Sequence, residues 1–397
     1  MREVVTPPGL PPVVLEDGVG LGPGAPERTD DPPLPRRCYA ASRVVMQDAY
    51  AGADRGADVA PWVDWDATLA QRAHLDAHGF GVAEAMDTAQ RFELGWGVAR
   101  ELIERTAALA PANGFVAGAS ADHVGAAASL EELADAVAWQ VDFIAARGGV
   151  PIVLPQLWLV EQRADEDAFV RFYARVAARS EAPFLVHWLG EAFVPAMAAY
   201  FPGRSARRVL DELPDRVLGI KLSLLDAAFE TELRAAIAPQ RQVVFTGDDW
   251  NFAELIAGEP GVAPSGAREI GGAPVEVGPF SHALLGVLDA IAAPASAALA
   301  DLGRGDRVGY RARMEPCEAL GRALFEAPTA HYKAGLAFVA WLAGRQSNPM
   351  LPLRLDEQRS VEHCLRVASL ASRAGALPDA TLAADRLRAF LAARGAS

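Results

Sequence analysis

Residues 128–158, ASLEELADAVAWQVDFIAARGG followed by VPIVLPQLW, contain one complete helix–strand unit. Ser129 stands at the predicted N-cap, acidic residues occupy the first turn, and apolar residues recur at i, i+3 and i+4. Gly148 ends the helical pattern, and a short apolar run begins two residues later. The segment therefore predicts an amphipathic helix followed directly by a strand.

The same unit recurs along the chain from residue 42 onward. Further helices are predicted at 66–78, 89–110, 166–180 and 226–238. Eight short apolar runs, each predicted to be a strand, are RVVMQDAY (43–50), GVAEAMD (81–87), FVAGAS (115–120), VPIVLPQLW (150–158), APFLVHWL (182–189), VLGIKLS (217–223), QVVFTGDDW (242–250) and SHALLGVLDA (281–290). Eight strands at intervals of roughly 25 to 40 residues, each with a helix after it, predict an α/β fold of the (β/α)8 TIM-barrel type. The alternative is a doubly wound open sheet, but no GxGxxG motif follows the first run.

Three regions are predicted on this basis. Residues 1–40 form a proline-rich arm, because nine prolines and no apolar periodicity occur before Cys38. Residues 41–303 form the barrel, in which a Gly/Pro-rich insertion at 258–280 is predicted to be a lid or contact loop. Residues 304–397 form a C-terminal helical region, with helices predicted at 306–326, 328–345, 355–375 and 378–395. The arm, packing on a neighbouring subunit, favours a homo-oligomer.

The composition argues against several classes of protein. A net charge of −14 argues against nucleic acid as a partner, because a phosphate backbone needs a basic face. No apolar stretch is predicted to span a membrane, since the most suggestive one, 283–300, is interrupted by Asp289 and Pro294. The three cysteines are scattered and form no CxxC pair, which is typical of a reducing compartment. Because the N-terminus lacks the pattern of a signal peptide, a cytoplasmic location is expected.

Lysine is rare in this chain. Thirty-five of its basic residues are arginine, and only Lys221 and Lys333 are lysine. Where arginine fills nearly every basic position, a remaining lysine often has a role that arginine cannot perform. The main such role is the loss of a proton to give a nucleophilic amine. Strand alternation in VLGIK places Lys221 on the face opposite Leu218 and Ile220, in the barrel mouth, where burial lowers its pKa. The structural alternative for this lysine is an ion pair with an acid such as Asp248.

Polar residues at the ends of the other predicted strands are further candidates, because the active site of this fold lies at the carboxyl ends of the strands. His187 ends the fifth strand, next to the strand of Lys221, and its imidazole is suited to shuttle protons. The side chains expected to hold the substrate are Glu84, Asp87, His123, Gln156, Asp248 and Asp249.

Several motifs resemble those of a known superfamily. They are GIK (219–221), TGDD (246–249), EAPTAHYKAGL (326–336) and NPMLPL (348–353). They are similar to motifs of the dihydrodipicolinate synthase/N-acetylneuraminate lyase superfamily, the class I Schiff-base aldolases, and over residues 40–380 the chain resembles a divergent branch of it. The resemblance implies that Lys221 forms the imine with the substrate. It also implies that Lys333 belongs to a C-terminal helix and is not a second catalytic group.

The chain departs from the superfamily's pattern in three places. A tyrosine within a YNxP motif usually ends the fifth strand, where this chain has His187 and no such proline. The arginine that holds the substrate carboxylate in many members is missing from its expected place. The second-strand GTTGE box, which normally binds a carboxylate, reads MDTAQ, so that Thr88 offers a hydroxyl while Asp87 would repel a carboxylate unless Arg91 compensates. We therefore expect the imine chemistry to carry over better than the substrate.

The leading hypothesis is a Schiff-base-forming lyase, aldolase or dehydratase that acts through Lys221 on a small oxo acid or sugar-derived carbonyl compound. No metal and no cofactor are expected. One alternative is a metal-dependent TIM-barrel sugar isomerase or hydrolase, because strand-end carboxylates and imidazoles suit Zn²⁺, Mn²⁺ or Mg²⁺. The other is a non-catalytic, sugar-responsive binding barrel, which the missing tyrosine would allow.

Overall fold

The computed structural model describes residues 1–18, 33–53, 58–87 and 90–395. The strands are β1 (Arg2–Val5), β2 (Val13–Glu16), β3 (Cys38–Ala41), β4 (Gly81–Glu84), β5 (Phe115–Ala119), β6 (Val150–Val153), β7 (Phe184–Leu189), β8 (Val217–Ser223), β9 (Val243–Thr246), β10 (Gly266–Ile270), β11 (Ala273–Val277) and β12 (His282–Leu285). The α-helices are α1 (Trp65–Ala77), α2 (Arg91–Leu109), α3 (Leu130–Ala145), α4 (Leu157–Glu161), α5 (Glu166–Arg179), α6 (Ser205–Glu212), α7 (Ala227–Ile237), α8 (Phe252–Ala257), α9 (Leu288–Gly303), α10 (Arg307–Leu324), α11 (Tyr332–Leu342), α12 (Val361–Arg373) and α13 (Ala380–Ala393). Within the described ranges, no helix is both long enough and apolar enough to cross a membrane.

Eight strands form a closed parallel barrel in the order β12-β3-β4-β5-β6-β7-β8-β9, which confirms the predicted fold. A helix follows each of these strands in the sequence. Successive residues of a strand point to opposite faces, so alternate residues fill the barrel interior. The interior cluster includes Tyr39, Ala83, Val116, Ile152, Leu185 and Phe245, all buried.

The first barrel strand begins five residues earlier than predicted. It is CYAA, Cys38–Ala41, whereas the predicted strand 43–50 does not form one. Val44, Val45 and Met46 of that run are nevertheless buried. A buried loop and a buried strand give the same short apolar pattern, so periodicity does not separate them. The true strand, CYAA, was not predicted from the sequence because alanine is a weak strand former.

The Gly/Pro-rich insertion before β12 contains an antiparallel hairpin of β10 and β11. Ile270, Val275 and Val277 of this hairpin belong to the interior cluster, together with Val150 and Val243. The latter two are the first residues of β6 and β9, so the hairpin covers the amino ends of the strands. The prediction of a lid is therefore wrong for this insertion, because the active site was expected at the opposite, carboxyl ends.

The chain folds into two compact units whose boundaries differ from the predicted ones. The barrel unit consists of residues 36–41 and 81–285 and contains every barrel strand. The helical unit consists of residues 1–35, 42–80 and 286–397. The segments 42–80 and 286–303, which were predicted as part of the barrel, thus belong to the same unit as the C-terminal helices.

The predicted N-terminal arm is only partly described. In the helical unit, β1 and β2 pair as an antiparallel hairpin in which Arg2 lies opposite Glu16. The backbone N–H of Glu16 donates to Ser372 Oγ at 2.8 Å, and this joins the hairpin to α12. Residues 1–18 therefore form a folded hairpin and not the extended arm that was predicted. The prediction for residues 19–32 lies outside the described residues.

Candidate active site

Lys221 lies on β8 and points into the barrel. Its register partners on the neighbouring strands are His187 of β7 and Phe245 of β9, and Phe245 belongs to the interior cluster. Lys221 is only 4 % exposed. Burial lowers its pKa, and the carboxylates of Asp87 and Asp249 partly oppose this shift. The amine is therefore closer to its neutral, nucleophilic form than that of a lysine in water.

Two glycines allow the chain segments around Lys221 to approach each other closely. A Cβ on Gly219 would come closer than 3 Å to the backbone of Val243 on the next strand. A Cβ on Gly247 would come within 2.2 Å of the Ser223 hydroxyl and within 2.9 Å of Lys221 Cε. These are the glycines of the GIK and TGDD motifs. Both motifs thus reflect the close approach of β8 and β9 at this point.

His187 occupies the centre of a row of three polar groups. Its Nε2 lies 3.1 Å from Ser223 Oγ, and its Nδ1 lies 3.0 Å from Asp87 Oδ2. Burial lowers the pKa of His187, Asp87 opposes this shift, and Lys221 adds to it. Because the net shift is downward, the imidazole is neutral at pH 7. A carboxylate beside Nδ1 favours the proton on that nitrogen, which leaves Nε2 to accept from the Ser223 hydroxyl.

Two of the predicted substrate-binding residues act on the charge of Lys221. Asp87 and Asp249 are the carboxylates whose charge raises the pKa of this lysine, and Asp249 is 3 % exposed. The expected ion-pair partner, Asp248, is not one of them. Thr88, predicted together with Asp87, lies outside the described residues.

Gln156 is held by a tyrosine that the sequence did not point to. The backbone N–H of Gln156 donates to the Tyr200 hydroxyl at 3.2 Å, and that hydroxyl lies 2.9 Å from the Tyr173 hydroxyl. Burial raises the pKa of Tyr200 to about 12, the hydrogen bonds from Tyr173 and Gln156 oppose the shift, and the charge of Asp87 adds to it. Nothing in the local sequence FVPAMAAYF marks this tyrosine as part of a site.

Glu84 points away from the predicted site. It follows Ala83, whose side chain belongs to the interior cluster, so alternation directs Glu84 out of the barrel. There Thr106 Oγ1, on α2, donates to Glu84 Oε1 at 2.6 Å. The prediction that Glu84 holds the substrate is therefore wrong.

Asp248 and His123 are also engaged in other contacts. Asp248 Oδ1 accepts from the backbone N–H groups two and three residues later, at 2.9 and 3.0 Å, so its carboxylate closes the loop after β9. His123 stacks on Trp139 with ring centroids 4.4 Å apart, and its Nδ1 lies 2.9 Å from Gln140 Nε2. Both side chains were predicted to hold the substrate. In the structure they stabilise a loop and the surface of α3.

Arg91, expected to compensate for the charge of the preceding loop, is fully engaged. Its Nε and Nη2 donate to the two carboxylate oxygens of Asp122 at 3.0 and 2.8 Å. Nη2 also donates to Gln140 Oε1 at 2.7 Å, and Nη1 donates to the carbonyls of Ala85 and Gly118 at 3.0 and 2.8 Å. These bonds use all five N–H groups of the guanidinium. Arg91 therefore joins Ala85, just after β4, to β5 and α3 and has no donor left for a substrate carboxylate.

Solved structures of one class of protein share this barrel. Dihydrodipicolinate synthase from Bacteroides thetaiotaomicron superposes with a TM-score of 0.60 at 14% sequence identity, covering 86% of this chain and 98% of that chain. The synthase from Aquifex aeolicus gives 0.57 at 12% identity, covering 91% and 98%. The synthase from Agrobacterium tumefaciens gives 0.55 at 17% identity, covering 85% and 97%. The predicted resemblance to the dihydrodipicolinate synthase superfamily is thereby confirmed at the level of the fold.

The sequence then assigns the family. The family described as "Protein of unknown function (DUF993)" matches residues 21–396, and the chain belongs to it. A search of curated proteins by sequence gives no significant match. The chain thus belongs to a family of its own and shares the fold of dihydrodipicolinate synthase. Both findings agree with the prediction, made from the motifs, of a divergent branch of that superfamily.

Proposed function

We propose that this protein is a Schiff-base-forming lyase or aldolase in which Lys221 forms an imine with a small carbonyl substrate. The observation that carries the proposal is a buried lysine at the carboxyl end of a barrel strand, with its pKa lowered by burial. The neutral amine attacks the carbonyl carbon, and loss of water gives a protonated imine. That group withdraws electrons from the neighbouring carbon, so that a C–H, C–C or C–O bond there breaks more easily.

The proposed substrate is a neutral, hydroxylated aldehyde or ketone and not an oxo acid. Asp87 and Asp249 bring two carboxylates to the buried surroundings of Lys221, and these would repel a substrate carboxylate. Arg91 does not offset them, since all its donors are used within the protein. Carboxylates are good acceptors for hydroxyl groups, so these surroundings suit a sugar-derived carbonyl compound.

His187 is the proposed source of acid–base catalysis. Formation of the carbinolamine, its dehydration and bond cleavage each require a proton transfer, and a neutral imidazole near pH 7 can accept or return a proton. The contact of Nδ1 with Asp87 supports this role, because a carboxylate stabilises the imidazolium that forms.

Borohydride trapping tests the proposed function. The protein is incubated with a pool of neutral ketoses and aldoses, and separately with a pool of oxo acids, then reduced, digested and analysed by mass spectrometry. We expect a reduced adduct on the peptide that contains Lys221, with more adduct from the neutral pool. Lys333 is an internal control, because it is the only other lysine of the chain. An adduct on Lys333 alone, or none from either pool, would contradict the proposal and favour a binding barrel.

No contact in the described part of the chain favours the metal-dependent alternative. Among the described residues, no group of three or more histidine, cysteine, aspartate or glutamate side chains is placed to hold a metal ion. Three carboxylates at or just after strand ends lie in separate contacts: Glu84 with Thr106, Asp122 with Arg91, and Asp248 with its own loop. Zinc or manganese retained in stoichiometric amount, with activity lost on chelation, would restore this alternative.

A further inference from the structure

Both ring nitrogens of His187 face protein groups. Nδ1 lies 3.0 Å from the Asp87 carboxylate and Nε2 lies 3.1 Å from the Ser223 hydroxyl, and the imidazole is completely buried. Because the ring is buried between these two groups, neither nitrogen is open to a bound substrate. A proton that moves between His187 and the substrate therefore has to pass through one of its two partners. Asp87 faces Nδ1, the nitrogen on which a carboxylate favours the proton, so the available route is through Ser223.

We propose that Ser223 is the residue that exchanges protons with the imine-bound substrate, at the end of a relay formed by Asp87, His187 and Ser223. The proposal rests on the proposed Schiff base at Lys221. Ser223 lies two residues after Lys221 on β8, so both side chains point to the same face of the barrel. The Ser223 hydroxyl and Lys221 Cε both lie within 3 Å of the point that a Cβ on Gly247 would occupy, so they are at most about 6 Å apart.

The relay accounts for each proton and electron pair. Ser223 Oγ takes a proton from the carbon next to the imine and gives its own proton to Nε2 of His187. The electron pair of the broken C–H bond moves into the protonated imine and gives an enamine. The resulting imidazolium is stabilised by Asp87, as in a Ser-His-Asp triad, although the serine here carries a proton and does not attack the substrate. The reverse transfer returns the proton to carbon.

Tyr200 is a second candidate hydroxyl, because the charge of Asp87 acts on it, and its contacts suit it less well. It accepts the backbone N–H of Gln156 and is paired with the Tyr173 hydroxyl. Ser223, by contrast, is bonded to the general base itself.

The tautomer of His187 tests the relay without any substrate. Long-range ¹H–¹⁵N spectra of protein labelled with ¹⁵N-histidine distinguish a proton on Nδ1 from one on Nε2. The signal of His187 is assigned by its loss in the His187→Gln variant. The proposal predicts the Nδ1–H tautomer. The Nε2–H tautomer would overturn it, because the ring could then no longer accept the proton of Ser223.

Hydrogen exchange tests the role of Ser223 in the reaction, with dihydroxyacetone in D₂O as the probe. Ser223→Ala is expected to slow deuterium incorporation into the probe by roughly 10²-fold or more, while borohydride still adds mass at Lys221. Ser205→Ala is a matched control, because Ser205 is buried and its hydroxyl has no hydrogen-bond partner among the described residues. Exchange by Ser223→Ala at the rate of Ser205→Ala would overturn the relay. Wild-type protein that adds no mass at Lys221 would contradict the Schiff base, and with it the step assigned to Ser223, whatever the tautomer of His187.

Discussion

Two clusters of buried charge, one in each compact unit, differ in how their charges are balanced. In the helical unit, Asp289 accepts from Arg43, from Ser42 Oγ at 2.9 Å and from Gln71 Nε2 at 3.0 Å. Burial opposes the ionisation of Asp289, but the charges of Arg43 and Lys333 and the hydrogen bond from Ser42 hold its pKa below the usual range. The carboxylate therefore stays charged and is bound on several sides.

The cluster in the barrel unit has the opposite balance. Burial lowers the pKa of Lys221, and Asp87 and Asp249 do not restore it. Burial likewise lowers the pKa of His187. A closed ion pair keeps both partners charged and joins parts of a fold, whereas a lowered pKa keeps an amine or imidazole ready to react. The two lysines of the chain thus lie in different surroundings. Lys333, on α11 as the resemblance implied, is one of the charges that lower the pKa of Asp289, and Lys221 is the candidate nucleophile.

Replacement of each lysine by arginine is the strongest test of this difference. Lys221→Arg is expected to lower turnover by roughly 10⁴-fold or more and to abolish imine trapping, because a guanidinium does not form this imine. Lys333→Arg keeps the positive charge near Asp289 and should still be trapped at Lys221. Circular dichroism checks that both variants are folded. An active Lys221→Arg variant would remove the distinction between the two clusters.

The second test concerns the general base. His187→Ala should lower kcat by roughly 10²–10⁴-fold, the usual range for a lost acid–base group, while imine trapping at Lys221 persists at a reduced rate. Steady-state kinetics and borohydride trapping of the same preparation separate the two effects. If kcat stays within a few-fold of the wild type and only thermal stability changes, His187 has a structural role like that of the cluster around Asp289.

The third test addresses the helical unit. Arg43→Met leaves Asp289 buried without its main partner and should destabilise the protein by about 3–5 kcal/mol, as measured by urea unfolding. The double variant Arg43→Met/Asp289→Asn removes both charges and keeps an acceptor for Ser42 and Gln71, so we expect it to recover most of the loss. A single variant as stable as the wild type would show that this ion pair does not stabilise the fold.

The regular order of strands in the sequence predicted both the barrel and the proximity of Lys221 and His187. Eight regularly spaced apolar runs with helices between them leave few other folds. Lys221 and His187 end adjacent strands of such a barrel, and they are register partners in the structure. Alternation from Lys221 also points to Ser223, two residues later on the same face.

The remaining site residues depend on distances that no local pattern contains. Glu84 is polar and ends its strand, as a site residue would. It follows an inward-facing residue, however, and neighbouring residues of a strand point to opposite faces, so Glu84 points outward. The use of every donor of Arg91 requires oxygens from four other residues brought together by the fold. Tyr200 comes from a loop without periodicity. For these residues only the tertiary structure distinguishes a binding role from a packing role.

The smallest effect that we predict is a pH dependence of stability from one buried histidine in each unit. In the barrel unit, the backbone N–H of Arg37 donates to His282 Nδ1 at 3.0 Å, and Nε2 donates to the Glu276 carbonyl at 2.7 Å. Burial lowers the pKa of His282 to about 4, the bond to Glu276 opposes the shift, and nearby arginines add to it. In the helical unit, burial and the charge of Arg345 lower the pKa of His74 to about 3.

Below its ordinary pKa of about 6.5 each histidine binds a proton in the unfolded chain, whereas in the folded chain it binds one only near its lowered pKa. Stability is therefore complete above pH 6.5 and is lost as the pH falls. For His282 the loss between pH 7 and 5 is roughly 2 kcal/mol, at about 1.4 kcal/mol per pH unit below 6.5. For His74, which is partly exposed, the loss of stability is smaller.

His282→Gln and His74→Gln should each flatten the decline in the free energy of unfolding, measured by urea titration at several pH values. The flattening by His282→Gln should end near pH 4 and that by His74→Gln near pH 3. A variant that keeps the wild-type slope would show that its histidine is already protonated in the folded protein. For His282 that result would also require the Arg37 N–H to give up its acceptor, because a protonated Nδ1 is a donor.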